Sequence, residues 1–132
     1  MNPEQLLYSQ THEWVYVETD PSGAKIAVVG ITAYALEVLT ELVYLELPEV
    51  GRLVEAGKPF GEVESVKAVS DLYSPVDGQV VASNQSLCAH LDQLAQDPYG
   101  DGWLVKIRLA DDSRLANLMN YEAYQRQCQK ES

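Results

Sequence analysis

Basic residues are scarce in this 132-residue chain: 9 lysines and arginines stand against 20 aspartates and glutamates, a formal charge of −11. No lysine/arginine cluster interrupts that excess, so contact with a phosphate backbone or an anionic membrane would begin against repulsion. The expectation is no nucleic-acid partner and no membrane. Nor does any apolar run approach the roughly 20 residues of a spanning helix. The opening MNPEQLLYSQTHEW lacks both a basic start followed by an apolar stretch and an Arg-rich amphipathic pattern, which makes a bacterial-type cytoplasm the expected location. The two cysteines, Cys88 and Cys128, form no CxxC, and His12 and His90 offer no ligand spacing with them, so neither a disulfide framework nor a metal site is expected. GxSxG, GxGxxG and Walker motifs are also missing, which removes the familiar nucleophile elbows and phosphate cradles.

What is present is a hydrophobic content of 46%, enough for one domain over residues 1–132 with a core of its own. The patterning is mainly β. Residues 12–18 and 25–29 flank the turn-like DPSG at 20–23 and predict a hairpin. Thr32 can cap a short helix reaching Leu39, because its hydroxyl can accept from an unpaired amide of the first turn. A strand at 42–47 follows, broken by Pro48 and Gly51, and Gly57 and Pro59 mark another corner. Asp77-Gly78 is a tight-turn pair ahead of a strand at 79–82. Short strands between Gly and Pro corners argue for a sandwich or small barrel. DPYGDGW at 97–103 reads as a structured turn, and 104–109 as a strand. Asp111 or Asp112 is expected to cap a helix over 113–119, and 121–129 a second one. Their stripe of Leu115, Leu118, Tyr121 and Tyr124 is expected to pack on the sheet.

The stretch VESVKAVSDLY, 63–73, alternates on both sides of Lys67 as two strands do around a tight turn. Most lysines at such tips are solvated charges without a task. An enzyme that modifies an amine, however, needs a protruding, rigidly presented lysine with small neighbours, and Val66 and Ala68 are small. Around this tip THEWV at 11–15, VGIT at 29–32, VYLELPEVG at 43–51, VEAGKPFGEVESVKA at 54–68, SDLYSPVDGQVV at 70–81 and DPYGDGW at 97–103 occur in order. Together they resemble the H protein of the glycine cleavage system over nearly the whole chain.

The resemblance implies lipoic acid carried as an amide on Lys67, and a flattened β-barrel, or hybrid barrel-sandwich, with short helices including carboxy-terminal ones. It implies a non-catalytic carrier. Its partners would be glycine decarboxylase, which loads an aminomethyl group onto one lipoyl sulfur, aminomethyltransferase, which passes the one-carbon unit to tetrahydrofolate, dihydrolipoamide dehydrogenase, which reoxidises the dithiol, and the lipoyl-attachment enzymes. Acylation removes the lysine charge and keeps its flexible stem, which makes a neutral swinging arm. Glu13 and Asp71 are candidate anchors sheltering the loaded arm. Glu62, Glu64, Val66 and Ala68 are candidates for recognition of the hairpin. Ala33, Leu36 and Thr40-Glu41 depart from the family's common residues, and 83–96 departs further, which bears on loops and partner contacts. Two carrier alternatives are an H-like lipoyl-relay protein and a lipoyl domain of a 2-oxoacid dehydrogenase complex. A small enzyme using Glu62, Glu64 and Asp71 as acid/base groups is weaker, because three carboxylates near a tip are more simply a solvated acidic face.

Overall fold

Alternating apolar and polar residues build two antiparallel sheets in the computed structural model, which describes residues 1–131. A 3-10 turn at Pro3–Gln5 leads into β1 (Leu7–Tyr8), β2 (Glu13–Thr19) and β3 (Lys25–Ile31), then α1 (Ala33–Leu39) and β4 (Leu42–Glu46). There follow β5 (Leu53–Val54), β6 (Pro59–Ser65), β7 (Val69–Tyr73) and β8 (Gly78–Ser83). A 3-10 turn at Gln85–Ala89, α2 (Leu91–Gln96), β9 (Val105–Leu109), another 3-10 turn at Ser113–Asn117 and α3 (Tyr121–Glu131) complete the order. One sheet runs β1-β2-β3-β9-β8-β5 and the other β4-β6-β7, and neither closes on itself. This is the expected mainly β barrel-sandwich layout.

The main core lies between the sheets, where Val15, Val29, Leu45, Phe60, Leu72 and Ile107 meet. Because strand side chains alternate, the neighbours of Val15 and Val29 point the other way. Trp14 and Val28 accordingly form a second cluster with Leu6, Tyr8, Tyr124 and Cys128, covered by α3. Gly30 stands opposite Trp14 in the β2–β3 register, and a Cβ there would collide with the indole. The indole N–H donates to the Pro98 carbonyl at 3.0 Å, so the DPYGDGW turn docks on the same tryptophan. Inside that turn Asp97 accepts from the Asp101 amide at 2.9 Å through its side chain and from the Gly102 amide at 2.8 Å through its carbonyl.

Thr32 caps α1 as its position predicts, accepting from the Ala35 amide at 3.2 Å. The first hairpin begins at Glu13 rather than residue 12, because His12 sits at φ 74°, outside the extended region. The expected helix over 113–119 is instead the 3-10 turn Ser113–Asn117. No side chain caps it at Asp112, while Asp111 accepts from the Ser113 amide at 2.8 Å and closes a local turn. Of the predicted stripe, Leu115 and Leu118 pack against the main core and Tyr121 and Tyr124 join the second cluster. Residues 83–96 hold a 3-10 turn and α2, whose Leu87 and Leu94 are fully buried, helical structure that the sequence pattern does not announce. Among the described residues no helix is long and apolar enough to cross a membrane.

Candidate functional site

Strands β6 and β7 form the predicted hairpin, with Glu64 paired to Val69 and residues 65–68 turning between them. Ser65 organises this tip. Its amide donates to the Ala68 carbonyl at 2.8 Å, and its hydroxyl oxygen accepts from the amides of Lys67 at 3.3 Å and Ala68 at 3.1 Å. The Val66 amide donates to the Glu41 carbonyl at 3.0 Å and fastens the turn to the start of β4. Backbone donors that would otherwise face water unpaired are thus used to hold the turn in one shape. Val66, Lys67 and Ala68 are all exposed, so the lysine projects from a fixed base between two short side chains.

Beside the hairpin lies a cleft of about 270 Å³. Strand β7 supplies one wall through Ser70, Asp71 and Leu72, helix α1 another through Tyr34, Ala35, Val38 and Leu39, and the segment Thr11–Glu13 closes the floor. Glu13 and Asp71, far apart in sequence, therefore face one space. Asp71 is exposed, whereas Glu13 is only 1% exposed. The Glu13 carboxylate accepts from the Ser9 hydroxyl at 2.7 Å, from the Thr11 hydroxyl and from the Tyr73 amide at 3.2 Å. Burial nevertheless prevails over these three bonds, which favour the charged form, and pushes the carboxyl up to about 7. A carboxyl so poised can hold its proton at neutral pH, or release it to water when a cation stands beside it.

Glu62 and Glu64 lie elsewhere, on the outer face of the three-stranded sheet. Glu46, Glu62 and Asp71 stand in register on β4, β6 and β7, three carboxylates in a row, and Glu64 follows on the same face. Burial, with Glu64, Glu46 and Asp71 close by, raises the Glu62 carboxyl. Of the hypothetical acid/base trio, Glu62 and Glu64 thus stand on a sheet surface, and Asp71 alone of the three also borders the cleft.

A protein-family model described as glycine cleavage H-protein matches residues 6–131. The chain belongs to the glycine cleavage H-protein family. Its relatives include the glycine cleavage system H protein of Rhodopirellula baltica, 52% identical over 127 residues that make up 96% of this chain and 95% of that one. Another is the H protein of Synechococcus sp. strain JA-2-3B'a(2-13), 51% identical over 92% of this chain and 91% of its own. The crystal structure of an H protein from Mycobacterium marinum superposes with a TM-score of 0.84 at 38% identity, covering 96% of this chain and 98% of that one.

For a member of this family the decisive question is whether the site suits a lipoyl arm. Four residues of even fully extended chain span at most about 14 Å, so Asp71 lies within the reach of a lysine stem lengthened by an eight-carbon acyl chain on Lys67. The cleft lining is apolar at Ile31, Ala35, Val38, Leu39 and Leu72 and carries carboxylates at Glu13, Asp71 and Glu131. An apolar chain carrying a cation suits that combination of apolar and acidic side chains. Nothing in the sequence singles out Ser65, which shapes the tip, or Ser9, which bonds Glu13. Serine in a turn is too common to mark itself, and only the hydrogen bonds distinguish these two.

Proposed function

We propose that residues 1–132 act as one lipoyl-carrier domain, with lipoic acid joined to the Lys67 amine as an amide and the cleft at Glu13 as the resting place of the loaded arm. The observation that carries this reading is the exposed Lys67 on a turn locked by Ser65, next to a cleft lined by apolar side chains and by a buried carboxyl. In bound form the lipoyl group supplies the disulfide that takes up the aminomethyl group of glycine and is left as a dithiol to be reoxidised.

The chain's own residues do the rest. Val66 and Ala68 leave the amine accessible to a lipoyl-attachment enzyme. Ile31, Val38, Leu39 and Leu72 exclude water along the arm, which slows hydrolysis of whatever it carries. Glu13 and Asp71 offer carboxylates to the ammonium at its tip, and Glu13 loses its proton as the cation arrives. The polypeptide performs no catalysis of its own. It meets glycine decarboxylase, aminomethyltransferase and dihydrolipoamide dehydrogenase in turn, in the cytoplasm, and the tether keeps the one-carbon unit from diffusing between them. The bacterial sources of the relatives support that location.

The test is intact-protein and peptide mass analysis of chain purified from its native host. The expected result is one lipoyl amide, on Lys67. Biotin at that position, or an unmodified lysine in lipoate-replete cells, would overturn the proposal.

A further inference from the structure

Two walls of the cleft are tied to the carboxy-terminal helix through one hydroxyl. Tyr124, 3% exposed on α3, places its Oη 2.6 Å from Thr32 Oγ1 and 2.7 Å from His12 Nδ1. Thr32 is the cap of α1, and His12, which borders Glu13, lines the cleft floor. On its far side His12 Nε2 lies 3.3 Å from a carboxylate oxygen of Glu131, also on α3 and also at the cleft. The imidazole packs against the Tyr34 ring at 5.2 Å. The backbone of His12 is held as tightly, its amide donating to Ser9 and its carbonyl accepting from the Thr32 amide. These contacts keep a non-glycine residue at φ 74°, a conformation that persists only where its surroundings impose it.

The protons in this chain can be assigned by counting donors. An ionised Glu131 only accepts, so Nε2 carries a hydrogen. In a neutral imidazole Nδ1 then only accepts, and Tyr124 spends its single hydroxyl hydrogen on it. Thr32 Oγ1, already accepting from the Ala35 amide, must therefore donate to Tyr124 Oη. The order of donation runs Thr32, Tyr124, His12, Glu131.

We infer that Tyr124 is a positioning residue of the cleft, whose hydroxyl locks α1 and the Thr11–Glu13 floor to α3 by donating to a His12 Nδ1 that Glu131, through Nε2–H, keeps unprotonated. Its bearing on the arm rests on the cleft's proposed role as shelter. The tautomer does not, since it is read on unmodified protein.

The experiment is ¹⁵N NMR of the histidine rings of unlipoylated full-length chain, at a pH where the ring shifts show His12 neutral. The parent should show protonated Nε2 and unprotonated Nδ1. Tyr124→Phe keeps the ring that stacks on Tyr8 at 4.4 Å and keeps the Glu131 acceptor, so the Nε2–H form should remain while the Nδ1 shift moves to that of an imidazole nitrogen receiving no hydrogen bond. Glu131→Gln retains an acceptor and should preserve the parent tautomer, whereas Glu131→Ala should not. On lipoylated, aminomethyl-loaded protein Tyr124→Phe should release its cargo to water about fivefold faster, as expected for one lost hydrogen bond. A parent histidine in the Nδ1–H form, a tautomer indifferent to Glu131→Ala, or an Nδ1 shift indifferent to Tyr124→Phe would overturn the inference. If Tyr124→Phe does not fold, the parent spectrum and the Glu131 pair decide it. Should the tautomers behave as expected while release is unchanged, the lock would stand and the shelter reading would fall.

Discussion

Glu13 is the residue whose chemistry most depends on where the fold puts it. Its carboxyl has an ordinary value of 4.5 and is raised to about 7 by burial. Between those values the folded chain keeps a proton that the unfolded chain has lost, so stability from this group is full below 4.5 and falls as pH rises through 7. The loss should amount to about 3 kcal/mol, since each tenfold weakening of an acid on folding is worth about 1.4 kcal/mol. Glu13→Gln imitates the neutral acid, since Ser9 and Thr11 hydroxyls can turn to accept from its amide, and it should be free of this component. Denaturant melts of both proteins from pH 4.5 to above 7 are the check. The parent should weaken relative to the variant as pH rises, and curves that run parallel would remove Glu13 as a neutral-pH group. At neutral pH the same variant should leave the cleft able to hold an apolar arm but unable to become anionic beneath an ammonium.

The β6–β7 hairpin shows how a single side chain can govern an element. Ser65 is 6% exposed and receives the amides of both Lys67 and Ala68. Ser65→Ala leaves those amides to water at a tip that is otherwise exposed, so its cost in global stability should be about 1 kcal/mol. Its local effect should be larger: amide exchange at Lys67 and Ala68 should quicken well beyond that of core strands, and lipoylation in vitro should slow because the amine no longer departs from a fixed base. Hydrogen exchange by NMR alongside the modification rate tests this. Exchange at the two amides equal to the parent's would show that strand pairing alone shapes the turn. The alternation of 63–73 and the lone Lys67 make the hairpin legible in the sequence, and so does the Thr32 cap of α1. The helix expected over 113–119 is not legible in the same way, because an aspartate before a helix and an aspartate closing a short turn look alike until the Asp111–Ser113 bond is seen. Helix α2 is hidden because its six residues carry too short a period to register.

Over the whole molecule the formal charge is −11, and part of it stands on the sheet that carries the Lys67 hairpin. Glu46, Glu62 and Asp71 lie in register on adjacent strands, an arrangement that like charges oppose. A basic surface brought against this face relieves that repulsion, and long-range attraction should speed the encounter. Association with a lipoyl-attachment enzyme, followed by stopped-flow, should slow as salt increases. A Glu64→Gln, Asp71→Asn double variant should be slower at low salt and less sensitive to it, with little change in melting. Rates independent of salt in both proteins would exclude steering. Sequence by itself determined the β class, the hairpin with Lys67 at its tip, the α1 cap, the overall acidity and the ordered motifs of the H-protein family, because each is written in composition or in residues a few positions apart along the chain. Only the tertiary structure decided that Glu13 is buried while Asp71 is exposed, that the two share a cleft, and that Tyr124 reaches back to His12 and Thr32. Those facts depend on desolvation and on contacts between residues tens of positions apart, and neither quantity exists until β2, β7, α1 and α3 have packed together.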